Sequence, residues 1–158
     1  LEDIPNCEKY SYFVSIGDVG YRKLWFDRLR ERRLNIINII DSSAIISASA
    51  KMGIGNFVGK MAVINADAVI GYNNVINTKA LMEHECKVGD HNHLSTNSVI
   101  NGNVIVGNSV FLGSSSVCNG QLKIGSNAII GSGSVIIKDI PEKVTVVGVP
   151  ARVIKRRD

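Results

Sequence analysis

The sequence is poor in the features that most often announce a function. It has three cysteines, Cys7, Cys86 and Cys118, an odd number with no CxxC spacing. Neither a disulfide framework nor a zinc knuckle is expected from them, and a reducing cytoplasm suits the chain. Aromatic residues make up only 6% and do not alternate with basic ones, which argues against the stacking platform of a nucleic-acid binder. No apolar run approaches the roughly 18 residues of a membrane span, and the start lacks the charged, apolar and small-residue order of a signal peptide. The chain begins with Leu1 rather than Met, so either a trimmed start or a missing upstream segment is expected.

What is present is ordinary globular material. Of 158 residues, 45% are hydrophobic and 20% charged, enough for one sizeable core and a small appendage. Eighteen Lys and Arg against 14 Asp and Glu leave a charge of +4, with much of the excess in residues 22–33 and 152–157. These clusters read either as solvated faces with a basic tail or as attraction for phosphorylated ligands.

The internal repeat decides the fold. Every sixth residue from Ile40 to Ile136 is apolar, seventeen positions without a break, a run expected by chance on the order of once in 10^5. Two positions earlier the residue is usually small, as at Ala44, Ala62, Ala80, Ser98 and Ser116; one position later glycine recurs, as at Gly53, Gly71, Gly89, Gly107 and Gly125. A strict six does not supply the three- and four-residue spacing of a helix, and the Val and Ile content favours strands. Each unit is therefore a short strand and a corner, with the branched side chain inside and Gly or Asn absorbing the corner dihedrals.

Units such as "IGYNNV", "VGNSVF" and "IGSNAI" resemble the hexapeptide-repeat family, whose fold is a left-handed parallel β-helix with three hexads per coil. The resemblance implies a mainly β protein, a solenoid of between five and six coils whose ends need caps. Residues 39–140 would form the β-helix, residues 1–38 the remnant of an α/β sugar-nucleotide-binding domain, and residues 141–158 a small cap and basic tail. In the remnant, residues 10–17 read as a strand and 18–34 as an amphipathic helix with Asp18 as its N-cap and Leu24, Phe26 and Leu29 on its apolar side. The stretch from Thr145 onward reads as an extended or helical tail.

Chemistry must come from residues the scaffold does not need. All three histidines, His84, His91 and His93, fall in "MEHECKVGDHNHL", the most polar stretch of the repeat. A solvated face is one reading. Zinc is another, but histidine spacings of seven and two, with Asn65, Ala66 and Asp67 in the preceding coil, do not match the pattern by which the trimeric hexapeptide carbonic anhydrases hold zinc with three histidines across a subunit interface. The third is acyl transfer, which needs a base for the acceptor's proton; a neutral imidazole with an ordinary pKa near 6.5 suits it. His84 with Glu85 supplies base and supporting carboxylate, and Gly102, eighteen residues later, offers a backbone N–H to an oxyanion.

The run from Ile64 to Ile154 is similar to the sugar acetyltransferases of the sialic-acid O-acetyltransferase and bacillosamine N-acetyltransferase type. That resemblance implies His84 as base and Glu85 as its partner in "EHEC", and His93, Gly113, Ser114 and Ser132 as contacts of acetyl-CoA. Gly17 and Asp18 stand at the family's "IGD/N" turn, implying a role at the sugar-nucleotide substrate, although the family's glycine-rich "GxGGxG" segment is missing. The expectation is an acetyl-CoA-dependent N- or O-acetyltransferase acting on a nucleotide-linked amino sugar or a sialic acid for surface glycans. It would be a cytoplasmic homotrimer, without metal, nucleic acid or membrane insertion, burying outward residues such as Val63, Val75 and Val99 between subunits. A non-catalytic β-helix scaffold remains the alternative.

Overall fold

The computed structural model describes residues 9–157, so Cys7 lies outside it. Seventeen two-residue strands, from β1 (Ile39–Ile40) to β17 (Val135–Ile136), alternate with four-residue corners. Strands eighteen residues apart pair in parallel, Ile39 beside Phe57 and Val99 beside Val117, so three sheets close the chain into a triangular prism, a left-handed parallel β-helix. The second residue of each strand is the six-residue apolar position. From Val58 to Ile136 all of these are buried, each contributing on the order of 1.5–3 kcal/mol for a branched aliphatic side chain. Ile40 stays exposed, because no coil lies below it.

The corners match expectation in part. From Met52 to Ile130 the left-handed dihedrals sit three residues after each inward residue, on Asn73, Asn97, Asn103, Asn127, Gly55 and Gly133 but also on Asp67, Lys79 and Glu85, whose φ lies between 58° and 59°. The recurring glycine serves close approach instead, since a Cβ at Gly113 would meet the Ser132 nitrogen at 2.4 Å. One corner also holds a feature that the six-residue reading did not reveal. Buried Asn56, Asn74 and Asn92 stack eighteen residues apart. Each side-chain oxygen accepts the backbone N–H of the coil above: Asn56 from Asn74 (2.8 Å), Asn74 from Asn92 (2.8 Å) and Asn92 from Val110 (2.7 Å).

The N-terminal part lies along the flank of the prism rather than across its end. Residues 10–17 are not a strand; a single bridge joins Tyr12 to Ile36. The helix α1 (Val19–Glu31) is capped by Asp18, whose carboxylate accepts the Tyr21 N–H at 2.8 Å. Phe26 and Leu29 are buried as expected, but Leu24 is 44% exposed and its place is taken by Arg22. Phe26 packs edge-on to His91, ring centroids 5.7 Å apart. At the other end β18 (Val144–Val147) extends in parallel the first sheet, the strands at residues 39, 57, 75, 93, 111 and 129, and β19 (Arg152–Arg156) folds back against it, so the tail is an extended hairpin cap. No helix among the described residues is long and apolar enough to cross a membrane.

Candidate active site

His84 and Glu85 occupy the corner between the second sheet (the strands at residues 45, 63, 81, 99, 117 and 135) and the third (residues 51, 69, 87, 105 and 123). Both side chains are open to solvent, 55% and 56% exposed. Glu85 has φ 59°, so the repeat's own corner conformation turns its carboxylate back towards the preceding residue. Its Oε2 lies 3.0 Å from His84 Nδ1 and accepts the Asn103 amide N–H at 3.1 Å. These two hydrogen bonds, His84 first, hold the Glu85 carboxyl below its ordinary pKa. A carboxylate on Nδ1 favours the proton there and leaves the Nε2 lone pair free to accept.

Gly102 stacks on the same corner one coil later. A Cβ there would lie 2.5 Å from His84 Nε2, so only glycine lets the imidazole rest against this backbone. Among the described residues the Gly102 N–H has no hydrogen-bond partner in the chain. Asn103, absent from the sequence reading, was detectable as the residue eighteen after Glu85.

The other expected residues lie elsewhere on the same chain. Gly113, Ser114 and Ser132 stack at the corner between the first and second sheets, with Ser114 and Ser132 exposed and the Ser114 carbonyl accepting the Gly133 N–H at 2.9 Å. One protomer thus holds the His84 corner and the Ser132 corner on opposite edges of its second sheet. His93 is on the outer side of the first sheet, tilted 5.2 Å from Phe111 between ring centroids. Burial first, then the Arg22 charge, lowers its pKa, opposed by a hydrogen bond with the Gly17 backbone. His93 and Gly17 share a cavity of about 270 Å³ with Phe13, Ile16, Phe57 and Val75. Gly17 and Asp18 also wall a groove of about 580 Å³ that reaches Lys23, Phe111, Asn127 and Arg157. His91 is buried at a third corner, its Nδ1 2.9 Å from the Asn73 amide. The three histidines therefore do not converge.

A prism of hexapeptide coils with an imidazole held by a carboxylate at an open corner defines a class, that of the hexapeptide-repeat transferases. A scan of protein-family models and a search of curated proteins both find no match, whereas solved structures match closely. PerB from Caulobacter crescentus, solved with CoA and GDP-perosamine, is 36% identical, with 92% of this chain and 70% of that chain covered at a TM-score of 0.90. A mutant of perosamine N-acetyltransferase from the same organism, with the same ligands, is 35% identical over 92% of this chain and 69% of that one, TM-score 0.90. The acetyltransferase domain of PglB from Neisseria gonorrhoeae, in complex with acetyl coenzyme A, is 28% identical over 93% and 72%, TM-score 0.91. The chain belongs to the sugar acetyltransferases of the hexapeptide-repeat family.

Proposed function

We propose that this protein transfers the acetyl group of acetyl-CoA to the amine or hydroxyl of a sugar, a nucleotide-linked amino sugar or a sialic acid, for surface glycans, in the cytoplasm. The observation that carries the reading is the His84 imidazole with its Nδ1 side on Glu85 and its Nε2 side against Gly102. In the reaction the acceptor nitrogen or oxygen attacks the thioester carbonyl while His84 Nε2 takes its proton. Gly102 stands against that nitrogen, and its N–H, without a partner in the chain among the described residues, can donate to the developing oxyanion. Glu85 stabilises the imidazolium; the C–S bond then breaks, and the proton returns to the CoA thiolate. The similar perosamine N-acetyltransferase, solved with GDP-perosamine, is an N-acetyltransferase by name, which favours a nucleotide-linked amino sugar.

The site is completed by a neighbouring copy. The outer side of the second sheet presents Ile45, Val63, Leu81, Val99, Val117 and Val135, all aliphatic, whereas the third sheet carries Lys51, Lys87 and Lys123. The first is covered in part by residues 13–17, above Phe57 and Val75. The aliphatic sheet is the side a homotrimer would bury, and its two edges are the His84 and Ser132 corners. Packing three copies around it can set His84 of one beside Ser114 and Ser132 of the next, which supports acetyl-CoA in the cleft. Val75, expected to join Val63 and Val99 at this surface, lies on the first sheet instead. Incubation with acetyl-CoA and, in turn, GDP-, UDP- and CMP-linked sugars tests the proposal: free CoA thiol should appear only with an acceptor present. Acetyl-CoA hydrolysis at the same rate without acceptor, or no thiol with any of them, would reject it.

A further inference from the structure

Arg22 is the one charged side chain among the largest fully buried, at 1% exposure, and no carboxylate pairs with it at hydrogen-bond distance among the described residues. Its five N–H groups meet five backbone carbonyls instead: Nε to Asn73 (3.3 Å), Nη1 to Ile16 (3.3 Å) and Gly17 (3.0 Å), Nη2 to His91 and Asn92 (3.2 Å each). Every donor of the guanidinium is used. Burial lowers its pKa to about 10, against the pull of Asp18, so the group remains charged at neutral pH.

The carbonyls belong to two places. Asn73, His91 and Asn92 form two stacked corners of the prism, and Asn92 leads directly into His93. Ile16 and Gly17 form the turn before the helix. Among the described residues, no backbone hydrogen bond ties residues 13–17 to the prism. Beside the packing of Phe13 on Phe57, the Arg22 hydrogen bonds are therefore what tie the turn to the prism. That turn is a wall of both the 270 Å³ cavity and the 580 Å³ groove.

We propose that Arg22 is a positioning residue for the sugar substrate: its planar fork locks the turn at Ile16 and Gly17 onto the corner preceding His93 and so sets the width of the site between them. This rests on the sugar acetyltransferase reading above. A structural role alone would cost folded protein; a positioning role changes substrate binding in protein that is folded. Lysine keeps the charge but not the fork, and cannot reach both places with planar geometry.

The test is steady-state kinetics of Arg22→Lys, with Arg22→Gln as a second variant, at equal folded fraction by circular dichroism. The KM for the nucleotide-linked sugar should rise about 10-fold or more, while kcat moves by less than about 3-fold. An unchanged sugar KM in folded protein overturns the proposal, as does a loss of kcat and KM together that follows the unfolded fraction. Unfolding of both variants also overturns it, since Arg22 would then be a fold determinant only. If the parent protein turns over no sugar, acetyl transfer fails on its own, and Arg22 is judged by calorimetry with GDP- and UDP-sugars. Weaker binding by Arg22→Lys than by the parent upholds positioning; equal binding, or none by the parent, rejects it.

Discussion

The imidazole at an open corner is only as well oriented as its immediate neighbours make it. His84→Ala should lower kcat by about 10²-fold or more with acetyl-CoA affinity retained, as isothermal calorimetry beside steady-state rates would show. Gly102→Ala is the sharper experiment. Its Cβ would lie 2.5 Å from Nε2 at a solvent-facing corner where the ring can swing away, so the fold should survive while kcat falls by about 10²-fold through misplacement. Titration gives an independent handle on His91. Burial first, then Lys23, opposed by Asp27 and Asp90 and aided by Arg22, lowers its pKa from the ordinary 6.5. The unfolded chain therefore binds the proton more readily than the folded one. The stabilisation is complete above about pH 6.5 and is lost as pH falls towards the depressed folded value. His93 acts in the same direction. His91→Gln should flatten the fall in melting temperature between pH 7 and 5; an unchanged slope would show that the imidazole is not the group responsible.

At the scale of elements, the asparagine stack makes a prediction about stability. Asn74→Ala leaves the buried Asn92 N–H without its acceptor and removes a 3.0 Å bond to Asn56, so denaturant unfolding should show a loss of about 1–3 kcal/mol. Equal stability would mean that water enters and replaces the side chain. The stack also shows where sequence reading stops. The period of six was visible because each inward position obeys one constraint, burial in the same core. Asn38, Asn56, Asn74 and Asn92 follow a period of eighteen, which becomes meaningful only once three strands are known to close a coil. The same holds for the site: His84, Glu85 and Gly102 could be related by counting one coil, whereas Arg22 looked like part of a basic helix face. Its burial depends on carbonyls at Asn73, His91 and Asn92, whose proximity no local pattern encodes. Leu24 departs from the apolar pattern for the same reason, because the side of α1 that meets the prism is set by the docking angle and not by apolarity alone.

At the scale of the whole molecule, the aliphatic second sheet is the surface on which assembly and activity should fail together. Val99→Lys places a charge at the centre of that surface, where burial without a partner is prohibitive. Light scattering should report a trimer for the parent at micromolar concentration and a monomer for the variant, with transferase activity lost and the prism's circular dichroism kept. A parent that is monomeric would refute the assembly. The unbroken four-residue corners carry a further consequence for how such a chain can change length. Losing one residue would turn every later inward side chain to the outside. Losing six restores inside and outside but rotates everything beyond by a third of a turn, so that between His84 and Gly102 it would carry the glycine to another edge. Only steps of eighteen keep both the lining and the compass bearing of each residue, which makes length in this protein a quantised variable counted in whole turns.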